Sequence, residues 1–250
     1  MYSRREFLKY TALSGASLLL SSPLNAFHNR SAISTEFSIE DLMGKSKLNL
    51  YGKGFNLREE AANSLSAMLK EASKSGFNPY VVSSYRSYNH QKRIWNNKYT
   101  RFTKDGLSPQ ATIEKIIKYS TIPGTSRHHW GTDFDIIGSA KNIPSNPLHE
   151  KHFNQGGQYH AFKLWLNENS IQFGFKEVYT NNPDRKGFKY EPWHFSYATT
   201  ACKMLSQYIE KEVIGELYKA DIMGAENFTQ EFLSRYLKEN ILDINPELIP

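Results

Sequence analysis

The chain has 250 residues, with 22% charged and 39% hydrophobic side chains and a formal net charge of +6. That length supports one domain with a real core plus extras. The charge is spread along the chain with no Lys/Arg block, so nucleic acid is not an expected partner. The single cysteine, Cys202, excludes an internal disulfide and any multi-thiolate zinc site, and its helical surroundings predict a buried small hydrophobe.

Residues 1–26 read as an address. Arg4-Arg5 precede Phe7-Leu8-Lys9, a short apolar run covers 11–20, and Leu24-Asn25-Ala26 could precede a cleavage point. The run falls short of the ~20 apolar residues a membrane span needs. The order S-R-R-x-F-L-K resembles a twin-arginine signal, which implies an exported chain on the periplasmic or cell-wall side, with no membrane span once the signal is removed.

Residues 27–50 are polar and irregular and predict a linker, with a helical turn at 38–43. Leu57, Ala61, Leu65, Met68 and Ala72 share a face, predicting a helix over 57–75 that Gly76 closes. A buried strand follows at 79–84. Helices are predicted at 87–99 and at 108–119, the second with Ser108 as cap and Pro109 in its first turn. Residues 133–137 alternate as a strand, 158–175 read as an amphipathic helix ending near a glycine turn, and 188–197 read as extended because Pro192 disfavours helix at Glu191. Beyond Tyr197 the pattern is helical. One stripe runs through Leu205, Ile209, Val213 and Leu217, a second through Phe232, Leu233, Tyr236 and Leu237. The order predicts an α+β fold: a small antiparallel sheet flanked by helices, with a C-terminal helical extension over 199–250.

The chemistry concentrates in 51–198. A catalytic zinc takes three protein ligands and leaves one position open. Of the eight histidines, His28 sits by the address, His90, His149, His152 and His160 lie in polar or helical stretches, and His129 adjoins His128 in a segment whose neighbours should point opposite ways. His128 and His194 stand apart because each has a carboxylate nearby. Gly131 permits a reversal that could bring His128 to Asp135, which shares a strand face with Asp133. Glu191 and His194 flank Pro192 and could reach one cavity. A salt bridge or a solvated pair remains an alternative for each on spacing alone.

The pattern S-x-H-x-x-G-x-x-x-D (Ser126, His128, Gly131, Asp135) followed by E-x-W-H (Glu191, Trp193, His194) resembles the zinc D-alanyl-D-alanine carboxypeptidases of the VanY type, in a wider group with D,D-dipeptidases and small murein endopeptidases. Upstream, Ser83, Tyr85, Arg86, Ser87 and Gln91 are similar to the family's S-x-Y-R-S-x-x-x-Q segment. The resemblance runs from the 57–75 helix to Tyr197. It implies one zinc ion per chain on His128, Asp135 and His194, with Glu191 as the base that activates water. It implies that Arg86 grips a terminal carboxylate or offsets oxyanion charge, helped by Ser83, Gln91 and Ser126, with Trp193 packed beneath. Peptidoglycan stem peptides are the implied substrate. A murein endopeptidase and a non-catalytic cell-wall-binding module are the alternatives, and helices after Thr199 could serve a protein partner. One departure stands out: where the family usually has Ala, this chain has Asp133, either an outer partner of a ligand or a competitor for the metal.

Overall fold

The computed structural model describes residues 36–250. The address at 1–26 and the opening of the expected linker lie outside the described residues. None of the helices among the described residues is long and apolar enough to cross a membrane.

Local signals account for most elements. Helix α1 (Ile39–Leu42) starts at a reciprocal cap between Ser38 and Asp41. Helix α2 (Glu59–Lys74) carries acids in its first turn and Lys74 in its last, matching the helix dipole, and buries Ala61, Leu65, Met68 and Ala72. Strand β1 (Tyr80–Ser83) leads to helix α3 (Tyr88–Lys104), capped by Ser87. Helix α4 (Pro109–Ile116) has the Ser108 cap and first-turn proline. Strand β2 (Asp133–Ile137) is buried along its whole length. Helix α5 (His160–Asn169), strand β3 (Phe175–Glu177), strand β4 (His194–Tyr197) and helices α6 (Ala198–Glu210) and α7 (Gln230–Tyr236) complete the fold.

The four strands form one antiparallel sheet in the order β1-β2-β4-β3, so the fold is α+β as expected. On one face Phe134, Ile136, Phe175 and Phe195 pack with Leu65 and Met68 of α2 and Phe162 and Leu166 of α5. On β2 the odd-numbered side chains point the other way. There Asp135 pairs with His194 and Asp133 with Ser196, across neighbouring strands.

Three segments differ from expectation. The 158–175 helix ends early: it tightens at Ser170–Phe173, Gly174 turns it at φ +76°, and Phe175 begins an edge strand. The 188–197 stretch is not continuously extended. Glu191 to His194 form a turn closed by the His194 N–H donating to the Glu191 carbonyl at 3.1 Å, with proline at a turn position that suits its fixed φ. The expected 205–217 stripe is interrupted at Glu212, whose φ of +49° separates α6 from a 3-10 stretch at Val213–Lys219.

The stretch read as a linker enters the core through Phe37, Leu42 and Met43. The C-terminal helices likewise do not stand off from the rest. Met204, Leu205, Tyr208, Phe232, Leu233 and Tyr236 share a core with Trp95 of α3 and Ile113 and Ile116 of α4. Polar ties cross the same boundary: Trp95 Nε1 donates to the Met223 carbonyl at 2.9 Å, and Ile122 N–H donates to Tyr236 Oη at 3.1 Å. Cys202 is half-buried against this core.

Cutting the chain after Gly224 removes Phe228, Phe232, Leu233, Tyr236, Ile241, Ile244 and Leu248 from that core. At roughly 1.5–3 kcal/mol per large apolar side chain, the loss is about 10 kcal/mol or more, comparable with the ~5–15 kcal/mol that keeps a domain folded. The truncated chain is expected to lose its cooperative thermal transition. A truncated protein with native circular dichroism and a sharp melt would show that α3 and α4 do not need this layer.

Candidate metal centre

Strand register brings the two key side chains together. Asp135 and His194 face each other across β2 and β4, with Asp135 Oδ1 3.9 Å from His194 Nδ1. His128 arrives from a 3-10 turn at Arg127–Trp130, which Gly131 terminates in the left-handed region at φ +66°. Its Nε2 lies 3.5 Å from Asp135 Oδ2. Its Nδ1 sits 2.8 Å from the Ser84 carbonyl, which can only accept, so Nδ1 carries the hydrogen in the neutral ring and Nε2 offers a lone pair. One ligand atom from each of His128, Asp135 and His194 lies within 4.8 Å of the other two. Two imidazoles and a carboxylate converging from three segments are a donor set that suits a divalent ion such as zinc.

The group opens onto a cleft of about 760 Å³. Glu191 stands at its edge, placed there by the turn, with Oε2 3.0 Å from His194 Nδ1. Arg86 lines the same cleft, its Nη2 3.6 Å from Asp135 Oδ2. Ser126 and Trp193 also line it, and the Trp193 ring packs on Phe153 at 5.7 Å between centroids.

Two expected substrate contacts take a different place. Gln91 is fully buried: its Oε1 accepts from Arg86 Nη1 at 3.1 Å, and its amide donates to the Thr121 carbonyl at 2.9 Å. Ser83 Oγ accepts from Arg86 Nη2 at 3.0 Å. Neither lines the cleft, and both hold the guanidinium in position.

His129 stays out of the cluster, but not because the segment is extended. The 3-10 turn sends its ring into the core, where Nδ1–H donates to the Arg86 carbonyl at 2.5 Å and Nε2 accepts from the Gly124 N–H at 3.1 Å. With the Arg86 N–H donating to the His128 carbonyl at 3.1 Å, the turn clamps the arginine's backbone from both sides. Asp133 is fully buried and faces His194 Nε2 at 3.1 Å. Arg127, Ser196 and Tyr179, which pack around these groups, carry no spacing signal in the sequence.

The charges pull against burial. Burial alone would lower the pKa of His194, but hydrogen bonds to Asp133 and Glu191 and the Asp135 charge outweigh it and raise the value to about 10. His128 is lowered by burial and the nearby Arg86 charge, against the pull of Asp135. Burial pushes His129 down to about 3. Burial would raise both aspartates, yet Arg127 and the His194 hydrogen bond hold Asp133 low, and His128, His194 and Arg86 hold Asp135 low.

The VanY D-alanyl-D-alanine carboxypeptidase model matches residues 54–200, more than half of the chain, and the chain belongs to that family. It is 29% identical over 163 residues to "Putative carboxypeptidase YodJ" of Bacillus subtilis (strain 168), covering 65% of this chain and 50% of that protein. It is 28% identical over 136 residues to a D-alanyl-D-alanine carboxypeptidase of Enterococcus faecalis (strain ATCC 700802 / V583), covering 53% of this chain and 45% of that one. The chain therefore spans about half the length of these curated relatives. Among solved structures, VanYB in complex with D-alanine-D-alanine aligns at a TM-score of 0.49 and 22% identity, over 75% of this chain and 91% of that chain.

In metal-free protein at pH 8, the His194 ring is expected to be doubly protonated and the His128 and His129 rings neutral, as read by ¹⁵N NMR of the imidazoles. Because the folded-state value of His194 lies above its unfolded value near 6.5, its charge stabilises the metal-free fold fully below about pH 6.5. That contribution is lost as pH rises through about 10. A neutral His194 at pH 8 would contradict the charge balance described above.

Proposed function

We propose that the chain is a zinc-dependent carboxypeptidase that removes a C-terminal D-amino acid from peptidoglycan stem peptides. The observation that carries this reading is the convergence of His128, Asp135 and His194 within 4.8 Å at the floor of a cleft that also presents Glu191 and Arg86. These residues fit a zinc ion, which when bound supplies a Lewis acid that polarises the peptide carbonyl and brings water toward a pKa of about 7.

The remaining steps fall to side chains. Glu191, on the cleft side of His194, accepts the proton of the attacking water and returns it to the leaving amine. Arg86 is pre-aimed by Ser83 and Gln91, so its planar guanidinium loses little freedom when it grips the substrate's terminal carboxylate. Ser126 offers a further polar contact from the cleft wall. Trp193 supports the floor through Phe153.

Residues 51–198 are assigned the peptidase chemistry and 199–250 the covering helical layer. The motif around Arg4 and Arg5 supports export by the twin-arginine route to the periplasmic or cell-wall side, where the stem peptides lie.

Glu191→Gln is expected to retain zinc and lose about 10²–10⁴-fold in turnover, measured by mass spectrometry on peptides ending in D-Ala-D-Ala, with and without chelator. Wild-type cleavage by this variant would remove Glu191 from the role. Products cut inside the stem peptide, with the terminal residue left in place, would point to an endopeptidase. Replacing Arg4 and Arg5 with lysines should strand the protein in the cytoplasm, as read by cell fractionation. Undiminished export would rule out the twin-arginine route.

A further inference from the structure

The metal-facing triad leaves Asp133 without a part in the chemistry, although it is a fully buried carboxylate beside that triad. Burying a carboxylate this completely is expensive unless every lone-pair direction is used. Here each one is. Oδ1 accepts from Arg127 Nε at 3.0 Å and faces His194 Nε2 at 3.1 Å. Oδ2 accepts from Ser196 Oγ at 2.9 Å and Thr132 Oγ1 at 2.5 Å. Arg127 Nη2 donates in turn to Ser196 Oγ at 2.8 Å, which closes the network.

Two consequences follow from this arrangement. Asp133 has no free lone pair to offer an ion, and it lies on the Nε2 side of the His194 ring, away from the Nδ1 side that faces Glu191 at 3.0 Å and Asp135 at 3.9 Å. It is therefore not a fourth ligand or a competitor. A neutral imidazole holds its hydrogen on either nitrogen, and only the form with hydrogen on Nε2 leaves Nδ1 free toward the triad. A carboxylate already held by Arg127, Ser196 and Thr132 can only accept from Nε2–H.

We propose that Asp133 is a positioning residue that fixes the Nε2–H form and the orientation of the His194 ring, and that Arg127 and Ser196 hold it in place for that purpose. The inference rests on reading His194 as a metal ligand through Nδ1. An alanine at this position would have no group that could do this.

The test uses the full chain and zinc as the probe. Asp133→Ala alone strands the buried Arg127 and can unfold the protein, so Arg127→Met is combined with either Asp133→Ala or Asp133→Asn. An asparagine carbonyl can still accept from Nε2–H, whereas alanine cannot. The Ala double variant is expected to bind zinc about 10–100-fold more weakly than the wild type in chelator competition, and the Asn double variant to recover most of that loss. Equal zinc affinities for the two double variants would reduce Asp133 to a structural role. A second measurement needs no variant. In zinc-loaded wild-type protein, ¹⁵N NMR should place the His194 hydrogen on Nε2, and a hydrogen on Nδ1 would overturn the inference. A wild-type chain that binds no zinc defeats the parent reading instead, which separates the two failures.

Discussion

The opposition of Asp135 and His194 across β2 and β4 is the constraint on which the rest of the site depends. Both side chains are about nine-tenths buried or more, as are His128, Asp133 and Arg127. Desolvating an ion costs several kcal/mol, so such a group survives in a fold only where each charge meets another at hydrogen-bonding range. The sheet meets that condition through backbone pairing. A slip of one residue between β2 and β4 would turn Asp133 and Asp135 into the Phe134 core and bring phenylalanine to the cleft. The apolar face of the sheet, packed on α2 and α5, therefore protects the polar face by making that slip unfavourable.

Arg86 shows the same logic one layer out. Its guanidinium faces Asp135, but four neighbours decide where it points. Ser83 and Gln91 accept from its nitrogens, while His128 and His129 hold its backbone. Three of these, Ser83, Gln91 and His128, are motif residues of the family resemblance, yet Ser83 and Gln91 were expected at the substrate. A motif residue can thus act by aiming another motif residue, and spacing along the chain does not separate this from direct substrate contact.

What the sequence made legible was local. The alternation of 133–137, the Ser108 cap with Pro109, and the glycine needed after Trp130 all follow from a few neighbouring residues. The register of Asp135 against His194 was not legible without the resemblance, because it joins residues far apart in the chain through pairing that only the folded sheet defines. Strand β3 was missed because Phe175 continues the apolar spacing of the preceding helix, and Gly174 marks the stop without saying that a strand follows. His129 leaves the cluster by a route its neighbours do not signal: a 3-10 turn separates it from His128 by rotation, where an extended segment would do so by alternation. The stripes beyond residue 198 identified helices but not what they cover, and an amphipathic face reads the same whether it closes its own core or meets another protein.

That last ambiguity has a structural answer in the cleft wall. Residues Tyr179 to Tyr190 form one side of the cleft and lead directly into Glu191. Arg185 gathers this loop by donating to the carbonyls of Thr180, Phe188 and Asp243, at 2.9, 2.9 and 3.0 Å respectively. The Asp243 carboxylate accepts from the Lys186 and Gly187 N–H groups at 2.6 and 3.1 Å. A Cβ on Gly187 would lie 1.7 Å from the Glu239 carbonyl oxygen, so the loop approaches the turn after α7 as closely as only glycine allows. The wall beside Glu191 is thus anchored by residues beyond 200, where the family match ends. The last fifty residues belong to the architecture of the site: they set the position of a cleft wall whose other end carries the carboxylate beside His194.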